Sequence, residues 1–352
     1  MNLSFWKNKK VLVTGHTGFK GSWLCFILKE LGANVCGYSL NPPANPNLFG
    51  LINIQNNIKH INGDILDYDK MLSVFSEFLP EIVFHLAAQP IVKVGYGDPR
   101  LTYSVNVLGV VNVLDCIKNT PSVKSVVNVT TDKVYKNFEW ERGYREDDIL
   151  DGNDPYSNSK SCSELVTSCY KKSFLGNIAV SCARAGNVIG GGDFAEERII
   201  PDCVRAAQNN QTLFIRNPNS VRPYQHVLEP LFAYLMIAEK QYADKSFEGC
   251  YNIGPEDSGC VTTGGLVELF IKYYGNGFKY EIKNILNIKE ANFLKLNCYK
   301  IKNKFNYKPI IDIGEAVRLT VEWTKAYFEN KDVSAVMRKQ INDYMQSITR
   351  NA

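Results

Sequence analysis

Histidine is scarce in this sequence, and cysteine lacks the spacing of a metal or redox motif. The chain has 4 histidines and 10 cysteines, and no two cysteines form a C-x-x-C pair. Cys25, Cys36 and Cys182 lie inside apolar runs, where a reduced thiol behaves as a small hydrophobic side chain. We therefore expect no bound metal and a reducing, cytoplasmic location.

The sequence also lacks a strong charge bias and a long apolar run. Forty basic residues face 36 acidic ones, a net charge of +4 that is too small for the basic face of a nucleic-acid-binding protein. No apolar stretch approaches the roughly 18 residues of a membrane span, and the N-terminus has no signal-peptide core. We predict neither nucleic acid nor membrane as a partner.

The 352 residues suffice for one large domain or two moderate ones, and 45% of them are hydrophobic. In the first half, short apolar runs alternate with segments of helical spacing. Alternation of this kind is typical of a Rossmann-type doubly wound parallel sheet with helices on both faces. We predict strands at residues 10–14, 34–38, 58–61, 81–88, 123–130 and 178–185, and helices at 22–31, 67–79, 100–118 and 155–172.

A glycine-rich loop connects the first predicted strand to the first predicted helix, with the pattern G-x-x-G-x-x-G. Glycines let the backbone turn sharply and approach a pyrophosphate, whose charge faces the free N–H groups of the helix. A tight turn without a ligand is the alternative. We predict that a dinucleotide contacts Gly15, Thr17, Gly18, Phe19, Lys20 and Gly21.

The second strand ends in Tyr38-Ser39-Leu40, without the acidic residue typical of NAD sites or the arginine typical of NADP sites. The missing cation favours NAD, although Lys20 in the loop is an uncertain exception. Ser39 could hydrogen-bond the ribose. Asp64 and Ile65 follow the third strand, and we predict that they contact the cofactor. Asp64 could accept a hydrogen bond from adenine, or it could instead cap a helix.

From about residue 186 the rhythm changes to glycine-rich loops, one short strand and separate helices. We predict a dinucleotide-binding domain at residues 1–186, to which some later segments return. Residues 187–352 would form mainly a smaller α/β domain for the substrate. In this second region we expect a strand at 213–216, helices at 226–240, 264–274 and 314–328, and a surface or packing helix at 333–348.

Tyr156 and Lys160 lie four positions apart, on one face of a predicted helix that begins after Asp154-Pro155. A fixed ammonium lowers the pKa of a tyrosine from about 10 towards neutrality, which makes the phenol a usable general base. Downstream of a glycine loop, this pair resembles the active site of extended short-chain dehydrogenase/reductases, with Thr131 in the hydroxyl position.

Asp132 and Lys133 follow Thr131 at the carboxyl end of a parallel strand, where ligands bind in such folds. They supply an acid and a potential base, as elimination of water requires. The alternative is a surface ion pair at a strand end.

Four segments together carry a more specific resemblance, which runs from about residue 5 to at least 330. They are similar to the CDP-glucose branch of the sugar-nucleotide 4,6-dehydratases. Asp132-Lys133 is the most discriminating signal, since related dehydratases have Asp-Glu or Ser-Glu there. The segments are GHTGFKGSWL, TTDKVYKNFEWERGYREDDILDGNDPYSNSK, RAGNVIGGGDFAEERIIPDCVRA and IRNPNSVRPYQHVLEP.

The resemblance implies an internal oxidation and reduction. Tyr156, with Lys160 and Thr131, would act at sugar carbon 4, Lys133 would remove the carbon 5 proton, and Asp132 would protonate the leaving hydroxyl on carbon 6. Lys133 could instead only orient the intermediate. The remaining implied site residues are Leu86, Ala87, Ala88 and Asn106 for the cofactor and Gln89, Asn187, Ile200 and Arg222 for the substrate.

The resemblance also implies a homodimer, formed through the helices at 100–118 and 155–172. Several alternatives stay open at this point. They are a dehydratase for another nucleotide sugar (GDP-mannose or GDP-heptose type), an epimerase, a simple dehydrogenase, and a dinucleotide-binding module without activity. Arg222 could also be an exposed charge beside a helix, and His226 is expected to begin or pack a helix.

Overall fold

A computed structural model of the chain describes residues 1–215, 217–275, 278–283 and 293–350. Its centre is a seven-stranded sheet, in the order β11-β6-β5-β4-β1-β2-β3, in which every pair is parallel. The strands are β1 Lys10–Thr14, β2 Asn34–Ser39, β3 Lys59–Asn62, β4 Ile82–His85, β5 Ser125–Val129, β6 Ala179–Ala185, β7 Val188–Ile189, β8 Leu213–Ile215, β9 Val221–Pro223, β10 Gln225–His226, β11 Cys250–Ile253, β12 Cys260–Thr262 and β13 Tyr280–Ile282.

Helices cover both faces of this sheet. One face packs against α1, α9 and α13, and the other against α3, α6 and α7. The predicted doubly wound, Rossmann-type class is therefore confirmed. The helices are α1 Phe19–Glu30, α2 Leu48–Leu51, α3 Tyr68–Phe78, α4 Val92–Gly97, α5 Pro99–Tyr103, α6 Gly109–Lys118, α7 Pro155–Ser173, α8 Ile199–Asn209, α9 Leu228–Ala243, α10 Thr263–Tyr274, α11 Tyr299–Phe305, α12 Ile313–Phe328 and α13 Val333–Arg350.

The six predicted strands of the first half occur where expected, although β4 and β5 are shorter than their apolar runs. The sequence did not indicate β11, which returns to the sheet beside β6, or the helix α8. The strand expected at 213–216 occurs as β8, and Arg216 lies outside the described residues.

The predicted helix at 100–118 is interrupted by a π-helical turn at Ser104–Leu108, between α5 and α6. Among the described residues, one helical stretch, Pro99–Lys118, is long and apolar enough to cross a membrane by length and composition. The expectation that no stretch approaches this length is therefore wrong. In the fold, α6, the second half of this stretch, packs between α3 and α7. A helix in the core of a protein can meet the same criteria of length and composition as a membrane span.

A second, smaller core lies beyond the carboxyl ends of the main strands. It joins α8, α10 and α12 to the β8–β13 pair, with Phe270 and Val317 at its centre. The last helix, α13, packs on the main sheet layer, where Met337, Ile341 and Tyr344 are buried. The domain boundary predicted at residue 186 stays a prediction.

A buried ion pair fixes α7 to the sheet. Arg184 on β6 and Glu164 on α7 are each 2% exposed, and the guanidinium Nη2 lies 2.5 Å from Glu164 Oε2. Arg184 Nε donates to both carboxylate oxygens at 2.9 Å, and Thr130 Oγ1 donates to Oε1 at 2.6 Å. Arg184 Nη1 also donates to the Tyr135 hydroxyl at 2.7 Å. Every oxygen of this buried carboxylate is thus satisfied, as burial of charge requires.

We predict that Glu164→Ala lowers the free energy of unfolding by about 3–5 kcal/mol, because it leaves the guanidinium of Arg184 buried without a counter-charge. Urea unfolding followed by circular dichroism measures this. The matched control is Glu30→Ala, which removes a more exposed pair with Arg338 at 3.0 Å. This control should cost less than about 1 kcal/mol. Equal losses for the two variants would contradict the structural role of the buried pair.

Candidate active site

A cavity of about 1220 Å³ opens at the carboxyl ends of the central strands. It brings together the glycine loop, the ends of β2 and β3, and the turn after β4. The sequence-predicted residues that line it are Gly15, Thr17, Gly18, Phe19, Lys20, Gly21, Ser39, Asp64, Ile65, Leu86, Ala87 and Ala88.

The glycine loop is shaped for close backbone contact. Gly15 has a φ of 74°, and a Cβ placed there would lie 2.6 Å from the backbone nitrogen of Ala87. A Cβ on Gly21 would lie 2.2 Å from the Gly15 carbonyl oxygen. Gly18 caps α1, and no side chain of the described residues accepts a hydrogen bond from that helix end. The free N–H groups at the start of α1 can therefore receive a phosphate, as a dinucleotide cofactor requires.

The far end of the cavity carries hydroxyl groups and a carboxylate. Thr17 Oγ1 lies 2.9 Å from Ser39 Oγ and donates to the Leu40 carbonyl. Asp64 lines the cavity, and its Oδ1 accepts from the Leu66 N–H at 2.9 Å. The N-cap of α3 is Asp67, so the interpretation of Asp64 as a helix cap is wrong.

Thr131, Asp132 and Tyr156 form a buried group at the end of β5. Thr131 Oγ1 donates to Asp132 Oδ1 at 3.0 Å, and the Thr131 hydroxyl lies close enough to Tyr156 to influence the pKa of its phenol. Asp132 is 1% exposed, and its Oδ2 has no hydrogen-bond partner among the described residues. Burial raises the pKa of Asp132, against the positive charges of Lys133 and Arg222. The interpretation of Asp132 as part of a surface ion pair is therefore wrong.

The pKa of Tyr156 differs from the sequence expectation. Burial raises the pKa of Tyr156 to about 12, the neighbouring Thr131 hydroxyl lowers it, and the charge of Asp132 raises it further. The expected shift towards neutrality is wrong for this structure, because loss of hydration of the phenolate outweighs the favourable contacts. Lys160 Nζ donates to the Val129 carbonyl at 3.3 Å, and burial lowers the pKa of Lys160 to about 8.

Lys133 lies in a single 3-10 turn, Asp132–Val134, and is half-buried. Its backbone N–H donates to Thr131 Oγ1 at 3.3 Å. The turn holds Lys133 directly beside the buried acid, with its positive charge acting on Asp132.

Asn106 and Gln89 face each other beside the catalytic helix. Asn106, in the π turn, donates to the Gln89 carbonyl at 3.0 Å and to Ser159 Oγ at 2.9 Å. The side-chain amide of Gln89 donates to Thr102 and accepts from the Ile91 N–H. Both side chains are thus engaged inside the protein, where they hold the turn after β4 against α7.

Of the predicted substrate residues, Asn187, Ile200 and Arg222 lie in the second region, whereas Gln89 follows β4. Arg222 is 7% exposed on β9, and its charge acts on Asp132, so the interpretation as an exposed helix-flanking charge is wrong. Asn187 lies half-buried between β6 and β7. The Ile200 side chain is buried in the second core, so a ligand could reach only its backbone. His226 is buried beside Trp23, immediately before α9.

Sequence reasoning missed Arg198 at the start of α8. Arg198 lines the cavity and pairs with Asp193 at 3.1 Å. Its charge lowers the pKa of Tyr156. Burial lowers the pKa of Lys20 to about 8, and the charge of Arg198 lowers it in the same direction. The segment GGGDFAEER, which contains both Asp193 and Arg198, was the available signal.

Comparisons with known proteins identify relatives among sugar-nucleotide enzymes. A family model described as GDP-mannose 4,6 dehydratase matches residues 12–320. CDP-glucose 4,6-dehydratase of Salmonella typhimurium is 42% identical over 355 residues, which cover 99% of both chains. CDP-paratose 2-epimerase of Salmonella typhi is 22% identical, over 90% of this chain and 99% of the relative.

Solved structures share the fold. A dTDP-glucose 4,6-dehydratase of Bacillus anthracis in complex with NAD has a TM-score of 0.77 and 24% identity, over 92% of this chain and 99% of that one. A UDP-glucose 4-epimerase of Thermus thermophilus in complex with NAD has a TM-score of 0.79 and 24% identity, over 90% and 98%. From the sequence match and the fold together, this chain belongs to the GDP-mannose 4,6 dehydratase family, among the extended short-chain dehydrogenase/reductases.

Proposed function

We propose that this protein is a cytoplasmic hydro-lyase that converts CDP-glucose to CDP-4-keto-6-deoxyglucose, with NAD as cofactor. One observation carries the proposal. Asp132 is a buried carboxyl with an unpartnered oxygen among the described residues, and it lies beside Lys133, Thr131 and Tyr156. An enzyme that only oxidises an alcohol has no need of this additional acid. The 42% identity with a CDP-glucose 4,6-dehydratase supports the choice of substrate.

The cavity fits NAD better than NADP. Because Gly15 and Gly21 have no side chain, the glycine loop packs directly against the backbone of Ala87 and of the loop itself, and Gly18 and the start of α1 line the cavity. The cavity wall that follows β2, residues 39–48, contains no lysine or arginine to hold a 2′-phosphate. When bound there, NAD would supply the hydride acceptor and donor that an internal oxidation and reduction requires.

The first step requires a base at the carbon 4 hydroxyl. Tyr156 takes this proton, with the Thr131 hydroxyl beside the reacting oxygen. Burial makes the phenolate costly, so neighbouring positive charges must stabilise it when it forms. Arg198 acts in this direction in the structure, and Lys160, whose pKa is about 8, is mostly an ammonium at neutral pH.

The elimination step requires one group to remove a proton and another to donate one. Because burial raises its pKa, Asp132 can carry a proton and donate it to the hydroxyl that leaves carbon 6. Lys133, one residue along the same turn, removes the carbon 5 proton in its neutral amine form, after its ammonium has given up a proton. The adjacent carbonyl makes the carbon 5 proton acidic. Arg222 and Asn187 hold the substrate diphosphate, with the backbone at Ile200 and the side chain of Gln89 as further contacts.

The proposed active form is a homodimer in which the faces of α5, α6 and α7 pair with their copies. Among the described residues, large apolar side chains are exposed on α5, on the π turn and on α7. Leu101 is 43% exposed, Leu108 is 56% and Leu165 is 57%. A second copy of the same face would remove this apolar surface from water.

The substrate is tested by incubating the purified protein separately with CDP-glucose, dTDP-glucose and GDP-mannose. We expect loss of one water from CDP-glucose, detected by mass spectrometry, without accumulation of reduced cofactor. Dehydration of GDP-mannose alone would instead support the alternative nucleotide-sugar substrate. Net formation of reduced cofactor would indicate a simple dehydrogenase.

Lys133→Met is expected to slow exchange of the carbon 5 proton with solvent deuterium by about 100-fold or more, as loss of a general base does. Oxidation at carbon 4 should persist, visible as transient absorbance of reduced cofactor in a single turnover. Lys136→Met, which removes an exposed lysine of the same loop, is the control and should leave exchange unchanged. Exchange at the normal rate in Lys133→Met would exclude Lys133 as the base and leave it an orienting role.

Leu108→Arg combined with Leu165→Arg should convert the dimer to a monomer of 39.7 kDa, measured by light scattering after size-exclusion chromatography. The reason is that burying a charge in an apolar interface without a partner is unfavourable. Ile149→Arg, a loop position that is 63% exposed, is the control and should remain dimeric. A dimer that survives the double substitution would place the interface elsewhere.

A further inference from the structure

Two cysteines face each other at the edge of the main sheet. Cys182 on β6 is in register with Cys250 on β11, the edge strand. In-register residues of parallel strands point to the same face, and their sulfur atoms lie within 4.8 Å of each other. Neighbouring strands are about 4.8 Å apart, which falls within the Cα separations of about 4.4–6.8 Å that disulfides span. The two thiols are therefore adjacent across one strand pair, at a backbone separation that disulfides can span.

The surroundings make the two thiols unequal. Cys182 is buried, while Cys250 is partly exposed on the edge strand, where a small solute can reach it. The neighbouring Cys182 thiol lowers the pKa of Cys250, burial and the charge of Glu164 raise it, and the charges of Arg184 and Lys300 lower it. Positive charge beside a thiol favours the thiolate, which is the nucleophile. Cys250 thus has the features of an attacking thiol and Cys182 those of its resolving partner.

A metal ion is a poor occupant of the same place. A Glu164 oxygen lies within 4.8 Å of both sulfur atoms, so the three groups could in principle surround a cation. Both oxygens of Glu164 already accept hydrogen bonds from Arg184, and one also accepts from Thr130. The guanidinium would also repel a cation. The geometry therefore favours chemistry between the two sulfur atoms.

We propose that Cys250 and Cys182 form a reversible oxidative modification site, in which a peroxide converts the thiol pair to a disulfide. The Cys250 thiolate attacks hydrogen peroxide, the O–O bond breaks, and with uptake of one proton the products are a sulfenic acid and water. The Cys182 sulfur then displaces the hydroxyl as a second water and forms the S–S bond. The two thiols lose two electrons, and the peroxide gains them.

The test uses the full-length protein carrying Cys169→Ser, which removes the exposed cysteine and its competing reactions. The protein is treated with hydrogen peroxide near stoichiometry, alkylated in denaturant, digested and analysed by mass spectrometry. We expect a peptide that links Cys182 to Cys250, with loss of two hydrogen masses per chain, and recovery of both thiols with dithiothreitol. The fully buried Cys203 should remain a thiol.

Cys250→Ser in the same background is the matched variant, and in it Cys182 should stay alkylatable after the same treatment. The proposal is overturned if both thiols remain alkylatable in the Cys169→Ser protein. It is also overturned if Cys250 is oxidised to sulfinic acid without forming the link, because Cys182 would then not act as its partner. Both results can be read in the parent protein, whether or not the Cys250→Ser variant folds.

Discussion

The arrangement of the active site depends on the buried ion pair between Arg184 and Glu164. It joins the penultimate strand of the sheet to α7, the helix that carries Tyr156 and Lys160. Through Thr130 the same carboxylate holds the end of β5, next to Thr131. The network continues from Tyr135 to Asn252 on β11, so the edge strand is tied in as well. A buried pair adds little net stability compared with apolar packing, but once present it tolerates only one arrangement of its partners.

Burial explains the chemistry as well as the rigidity. The low-polarity interior penalises charge, so it raises the pKa of Asp132 and of Tyr156 and lowers that of Lys160. Asp132 is thereby suited to donate a proton, whereas Tyr156 becomes a base only when positive charge is close to it. The same buried environment thus suits Asp132 to donate a proton and Tyr156 to accept one, although both side chains lie near Thr131. The additional acid distinguishes a dehydratase from an enzyme that only oxidises.

Local signals in the sequence were sufficient for the first half of the fold. The apolar strand before Gly15, the glycine spacing and the helix after it all act over short distances, and the predicted strands occur there. β11 was missed because four residues, CYNI, carry no periodic signal and join the sheet only through tertiary pairing with β6. The raised pKa of Tyr156 and the burial of Arg222 were missed for a related reason. Both depend on segments that are distant in sequence and cover the side chain only in the folded chain. An aspartate after a strand does not by itself identify the helix cap. Asp64 and Asp67 both follow β3, and only Asp67 caps α3.

The central claim is that the hydrogen removed from carbon 4 is kept within the site while water leaves. The most direct measurement uses CDP-glucose with deuterium on carbon 4 and locates the label in the product by nuclear magnetic resonance. We expect the deuterium on carbon 6 of a 4-keto-6-deoxy product, together with one solvent proton on carbon 5. Deuterium that remains on carbon 4 of an unchanged or epimerised sugar, or that is lost from the sugar altogether, would contradict it.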